Sequence, residues 1–251
     1  DEAAINRFGF NSGGLEAYAL RLEARHGRPG IVGANVGKNK ETERAENDYA
    51  FGIERVTPLS DYIVVNISSP NTEGLRDLQA RESLSQLIGA SMEARARAIP
   101  DGGKVPPLLV KVAPDLELAE MQDIADVVMA SEIDGLVIGN TTVDRPTDLR
   151  SAEKSQAGGL SGRPLMEKST ACLAEFYRLT DGKVPLVGCG GVASGADAYA
   201  KVRAGASLVQ LYTALVFQGS ALVGRIKREL AALLKQDGFA NVSEAIAADH
   251  K

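Results

Sequence analysis

The sequence predicts a parallel α/β fold of the (β/α)8 barrel type. Short runs rich in Val, Ile and Leu alternate with longer amphipathic stretches, which is the signature of βαβ units. Six of these runs end in polar or glycine-rich clusters, and a barrel gathers its chemistry on the loops at the C-terminal ends of its strands. A doubly wound sheet competes with this assignment, but that fold concentrates its site at a single switch point and leaves most strand ends without a role. With 251 residues, 44% of them hydrophobic, residues 1–251 are expected to form one domain with a sizeable core.

Taken in order, the predicted strands fall at residues 30–34, 62–65, 108–112, 135–138, 185–187 and 207–211. They are short and continuously apolar, as strands buried on both faces must be. Helices are predicted over 15–26, 41–56, 81–99, 117–130, 164–180, 195–204 and 220–235. The strand ends present Asn35, Asn66 to Ser69, Lys111, Asn140 with Thr141, Gly190 with Gly191, and Tyr212 with Thr213. A closed barrel needs eight strands, and an open sheet of six would leave two edges unpaired. The remaining pair is expected either ahead of Asp1 or near Phe8 and Val56.

Bulk properties exclude several functions. A net charge of −5 and a pI of about 5.3 argue against a nucleic-acid surface. The chain has no Trp, six Tyr and six Phe, too few for stacking platforms. Cys172 and Cys189 lack metal-ligand spacing and read as reduced thiols, so no metal is expected. His26 and His250 lie in polar stretches unsuited to a catalytic triad, so proton transfer must fall to another residue type. No apolar run reaches the length of a membrane span and no signal peptide is visible. The first residue is Asp1 rather than Met, which is the mark expected of a processed product or a fragment.

The strand ends carry the candidate chemistry. "GCGGVASGADA" (188–198) follows a strand and opens a helix, where glycines and free N–H groups suit a phosphate. "AGGLSGRPL" (157–165) is read as a glycine-rich loop before a helix, able to add a donor to the same anion. Lys111 ends an apolar strand and points a cation into the barrel mouth. Asn35, Asn66, Asn71 and Asn140 offer paired donors and acceptors to a planar ligand edged with C=O and N–H groups, such as a flavin or a pyrimidine. "VVNISSPNTEGLRDL" (64–78) supplies two serines, and the residues alone do not choose between Ser68 and Ser69.

These stretches, with "INRFGFNSGG" (5–14), "GANVGKNK" (33–40), "LLVKVAPDL" (108–116), "DGLVIGNTTVDRP" (134–146) and "RAGASLVQLYTAL" (203–215), resemble the quinone-dependent class of the dihydroorotate dehydrogenase family, in family order along nearly the whole chain. The resemblance implies a flavin-bearing (β/α)8 TIM barrel that oxidises (S)-dihydroorotate to orotate in pyrimidine biosynthesis, with a quinone as electron acceptor. It implies FMN contacts at Asn6, Asn35, Asn66, Lys111, Gly139, Gly162, Gly191, Tyr212 and Thr213. Substrate contacts are implied at Asn6, Arg7, Phe8, Gly9, Phe10, Asn66, Asn71, Asn140 and Thr141, and the catalytic base is Ser69. The class that uses soluble electron acceptors has cysteine where Ser69 stands, so this residue also assigns the oxidant.

A neutral serine is a weak base, so the resemblance requires a relay for its proton and exclusion of bulk water. Residues 70–78, with Gly74 as a hinge, are the expected lid. Lys111 would stabilise the reduced, anionic flavin. The family's first two barrel strands and its N-terminal membrane-docking segment have no counterpart in these residues, which accounts for the count of six strands. The resemblance further implies a monomer and a peripheral place on the cytoplasmic face of the inner membrane, reached only through that segment. Gly139 stands where some relatives have threonine, and Phe8 where many have tyrosine. Two other readings are a truncated, catalytically incompetent barrel fragment and a related flavin barrel acting on another pyrimidine.

Overall fold

A computed structural model describes residues 1–99 and 102–250. Six strands form one parallel sheet: β2 (Gly33–Val36), β3 (Tyr62–Asn66), β4 (Leu108–Val112), β5 (Gly135–Ile138), β7 (Leu186–Cys189) and β8 (Leu208–Gln210), paired in that order. Two further strands, β1 (Ala3–Asn6) and β6 (Gly159–Gly162), make a separate antiparallel ribbon. Along the chain lie α1 (Leu15–Arg25), α2 (Ala45–Val56), α3 (Arg81–Arg97), α4 (Leu118–Met129), α5 (Met166–Leu179) and α6 (Gly195–Arg203). They are followed by α7 (Thr213–Gln218), α8 (Ala221–Gln236) and α9 (Val242–Ala245).

The pleat decides between the two candidate architectures. Successive residues of a strand face opposite sides of a sheet. Ile63, Val65, Leu108, Val110, Val112, Leu136, Ile138 and Leu186 share one core cluster with residues of α1 to α5, among them Leu22, Tyr49, Leu87, Ile124 and Phe176. The alternate positions, Val64, Val137 and Val187 with Tyr62, Leu109 and Cys189, form a second cluster built of sheet residues alone. The helices that join the strands therefore cover one face only, and the strand order never reverses. A doubly wound sheet would place helices on both faces and turn back at a switch point. The arrangement is barrel-like.

Elements and predictions agree closely for the helices and less so at some strands. The strand placed at 30–34 lies at Gly33–Val36 instead, because Pro29 and Gly30 make a turn in which Gly30 takes φ +104°. The glycine-rich loop at 157–165 contains β6, which carries no apolar alternation to announce it. Its Gly162 has φ +98°, and a Cβ there would sit 2.3 Å from the Glu2 carbonyl across the ribbon, so only glycine fits. Neither expected extra strand joins the parallel sheet. β1 ends two residues before Phe8 but runs in the ribbon, and Val56 closes α2. Among the described residues β2 and β8 pair with one neighbour each, and Leu208 on β8 is 66% exposed.

Among the described residues two buried ones carry charge, Arg95 and Lys201, and only Lys201 lacks a carboxylate partner. Lys201 on α6 has no solvent exposure and places its ammonium 2.5 Å from Ser169 Oγ on α5. Burial pushes the ammonium down from 10.5 to about 8, opposed by the fields of Cys189, Cys172 and Asp197. Between those pH values the unfolded chain holds a proton that the folded chain has released, so this residue's contribution to stability rises with pH. Denaturant midpoints of the wild type and Lys201→Met at pH 7 and pH 10 read the effect, since other titrating groups cancel in the difference. The wild type should gain on the variant at the higher pH; a constant difference would show that Lys201 keeps its unfolded-state affinity for the proton.

Candidate active site

The face of the sheet opposite the helices carries the predicted side chains because they fall on the same pleat parity. Asn35 pairs in register with Val64, and Asn66 pairs with Lys111, so all of these belong to the side defined by Val64 and Val137. Beyond the strand ends lies a cavity of about 440 Å³. Its lining includes Asn6, Phe8, Gly9, Lys111, Asn140 and Thr141, together with Gly162, Gly191, Tyr212 and Thr213. Ten of the residues implied by the family resemblance thus meet at one place. A larger recess, of about 730 Å³, runs beside the β1–β6 ribbon and shares only Asn6, Arg7 and Phe8 with that set.

The remaining predicted residues are distributed as follows. Asn66 is buried, and its carbonyl accepts from the Tyr49 hydroxyl at 2.8 Å. Asn71 donates to the backbone carbonyl and to the side-chain oxygen of Asn6, each at 3.0 Å, which ties the β3 loop to β1. Arg7 turns away and donates to the Ala157 carbonyl at 2.7 Å. Phe10 packs against Gly37, where a Cβ would lie 2.3 Å from its ring. Gly139 takes φ +118°, and a Cβ there would lie 2.3 Å from the Cys189 carbonyl, so the threonine of some relatives would not fit this backbone.

Geometry now separates the two serines. Ser68 is fully buried; its hydroxyl donates to Asn66 Oδ1 at 2.8 Å and accepts from Asn140 Nδ2 at 2.7 Å. Ser69 is only half-buried, and its oxygen accepts from the Asn71 backbone N–H at 3.3 Å. Its proton and a lone pair stay available. The Lys111 ammonium makes no hydrogen bond or ion pair among the described residues, and the buried Thr141 Oγ1 has no partner there either. An unmatched cation and an unmatched hydroxyl beside one cavity call for a ligand with anionic or hydrogen-bonding edges. A flavin carrying a phosphate meets that donor set.

Sequence reading missed the group that holds these loops. Arg76 donates to the Ser68 carbonyl at 3.0 Å, to the Thr141 carbonyl at 2.9 Å and to Asp115 at 2.9 Å. Asp115 also accepts from Lys168 at 2.7 Å, from the Val143 N–H at 3.1 Å and from the Thr142 hydroxyl. Burial alone would raise the Asp115 pKa, but Lys168, Thr142, Val143 and Arg76 together bring it below its usual value. Only the ordinary-looking "RDL" and "APD" stretches encode this network. Leu75 beside it is fully buried, so the later half of the predicted 70–78 lid is fixed to the body.

The phosphate loop differs from expectation in one respect. The start of α6 is already occupied: Asp197 accepts from the Ala193 N–H at 3.0 Å, Glu229 from the Gly195 N–H at 2.7 Å, and Ser194 from the Asp197 N–H at 3.1 Å. Donors for an anion must come from the preceding turn at Gly190 and Gly191 and from its neighbours. Both histidines lie on the surface away from the cavity, and Cys172 and Cys189 are free thiols. Among the described residues no helix is long and apolar enough to cross a membrane.

The sequence matches the family described as "Dihydroorotate dehydrogenase" over residues 1–234. It is 59% identical to the dihydroorotate dehydrogenase (quinone) of Azorhizobium caulinodans over 251 residues, which are 99% of this chain and 70% of that protein. It is 50% identical to the mitochondrial quinone enzyme of Mus musculus over 260 residues, covering 100% of this chain and 65% of the relative. A crystal structure of DHODH from Eimeria tenella in complex with ferulenol superposes with a TM-score of 0.96 at 43% identity, covering 100% of this chain and 72% of that one. The chain belongs to the quinone-dependent class of the dihydroorotate dehydrogenase family, flavin-dependent oxidoreductases that oxidise dihydroorotate in pyrimidine biosynthesis.

Proposed function

We propose that the cavity beyond the strand ends holds FMN and dihydroorotate side by side, and that Ser69 is the base that removes the C5 proton. The observation that carries this reading is the convergence of Lys111, Asn140, Thr141, Gly191 and Thr213 on one 440 Å³ cavity, with the half-buried Ser69 on the adjoining loop. FMN, when bound, supplies the two-electron acceptor for the hydride that leaves C6. Asn66, Asn140 and Thr141 present amide and hydroxyl groups to the pyrimidine edge, and Asn6 and Asn71 hold the opposite rim together. Ser69 passes its own proton to a relay as it accepts the one from C5, a step that requires the bound ligands to keep bulk water from the half-buried hydroxyl. Lys111 lies next to Asn66 across the β3–β4 ladder and places positive charge where negative charge develops.

Several finer points belong to the same reading. The six parallel strands would be the last six of an eight-stranded barrel, supported by the exposed Leu208 on the β8 edge. A quinone would reoxidise the flavin, and the family's N-terminal segment would bring a monomer to the cytoplasmic face of the inner membrane.

Two measurements test the chemistry. Ser69→Ala should keep its flavin absorbance yet reduce it with dihydroorotate at least about 100-fold more slowly in anaerobic stopped flow. A wild-type rate in that variant would remove Ser69 from the mechanism. Arg76 acts at one remove, since it sets the loops that bear Ser69 and Thr141. Its replacement by Met should slow the same reduction about 10- to 100-fold while the affinity for FMN stays near wild type, because small displacements of reacting groups are costly. Equal losses in rate and FMN affinity would mean that Arg76 supports the fold at large.

A further inference from the structure

Lys201 is a buried cation without an anionic partner. Among the described residues no carboxylate comes within ion-pair distance of it; its ammonium donates to Ser169 Oγ at 2.5 Å. The titratable groups whose fields reach it are the thiols of Cys189 on β7 and Cys172 on α5 and the carboxylate of Asp197 on its own helix. Burial pushes the Cys172 thiol up to about 12, so that thiol stays neutral and offers no compensating charge. An ammonium removed from water is costly unless something nearby repays the lost hydration. Lys201 lies directly beneath β7, where its Cδ would be 3.2 Å from a Cβ on Gly188, and the turn that follows β7 lines the cavity.

Ser169 links the cation to that turn. Its hydroxyl accepts from the ammonium and has one proton left, with the Gly190 carbonyl at 3.0 Å and the Met166 carbonyl at 3.2 Å. The C=O and N–H of a trans peptide point in opposite directions. A Gly190 carbonyl held toward Ser169 therefore turns the Gly191 N–H away from it, to the side of the cavity that Gly191 lines. Hydrogen bonds in such a chain polarise one another, which makes the last N–H a stronger donor. Gly190 has φ +113° and Gly191 φ +79°, so the turn keeps a geometry that few other residues would adopt. At the start of α6 the N–H groups of Ala193, Gly195 and Asp197 are already taken by Asp197, Glu229 and Ser194, which leaves this turn fewer neighbouring donors and gives weight to a further source of positive potential.

We propose that Lys201 is a positioning residue for the phosphate of the flavin: through Ser169 it orients the Gly190–Gly191 peptide toward the anion, and its buried charge is compensated when the phosphate binds. The inference rests on the flavin reading above and assigns the anion end of that site to a residue that never touches the ligand.

A pair of ligands that differ only in the phosphate separates this role from a general effect on packing. FMN and riboflavin are titrated into the flavin-free chain by fluorescence quenching, for the wild type, Lys201→Met and Ser169→Ala. Lys201→Met should weaken FMN about 10- to 100-fold, the scale of a hydrogen bond to a charged group, and leave riboflavin within about twofold. Ser169→Ala keeps the cation and should show a smaller loss in the same direction; it decides the matter if Lys201→Met fails to fold. Equal weakening of both ligands, or no change in their ratio, overturns the proposal while the flavin reading stands. A wild-type chain that binds neither ligand overturns the flavin reading itself, and this inference with it.

Discussion

A single carboxylate, Asp115, organises the mouth of this molecule. It stands just beyond β4 and accepts from Arg76 of the β3 loop, from Thr142 and Val143 of the β5 loop and from Lys168 of α5. Four chain segments that are distant in sequence meet on two oxygens. The site depends on this because parallel strands fix only where loops begin; nothing in a sheet ladder sets where a loop goes afterwards. The charges are close to balanced, with Lys168 also reaching Asp144. Asp115 is the least exposed charged member, so removing its cationic partners would leave a largely buried carboxylate short of charge compensation, which costs more than the net worth of the pair.

The strand ends set the starting points, and there the sequence is easy to read. A side chain's face follows from its parity, so Asn66 and Lys111, which are partners in register, had to share a side once β3 and β4 were placed. The same rule put Asn35 with Val64, although the predicted strand stopped one residue short of it. Helices were legible for the usual reason, an apolar stripe at helical spacing. What the sequence concealed was the ribbon of β1 and β6. Four residues containing two glycines, such as Gly159–Gly162, carry no periodicity, and their pairing with Ala3–Asn6 spans more than 150 positions of chain.

The network around Asp115 was hidden for a different reason. Arg, Asp and Lys on helices and loops normally read as a solvated exterior, and a pattern of scattered charge does not reveal which members are buried against one another. The α6 terminus shows the converse case. "GGVASGAD" has the composition of an anion site at a helix start, but Asp197 and Glu229 already take the N–H groups of Ala193 and Gly195, and it is the glycine turn ahead of them that lines the cavity. Composition indicates which groups are present; only packing shows which of them are already spent.

That distinction also narrows the choice of base. Of the carboxylates near the cavity, Glu2 pairs with Arg163 at 3.2 Å, and Asp115 is surrounded by donors that hold it ionised and hydrogen-bonded. A carboxylate so satisfied has little basicity left to take a carbon-bound proton. Both histidines lie elsewhere, and Ser68 uses its proton on Asn66 and its lone pair on Asn140. Of the two serines on this loop, Ser69 is the one that retains a proton to pass on and a lone pair to receive one. In the proposed mechanism the weakness of a free hydroxyl as a base would explain why the surrounding loops are held so firmly: a poor base works only when its substrate, its relay and a water-excluding environment are all in place before the proton moves.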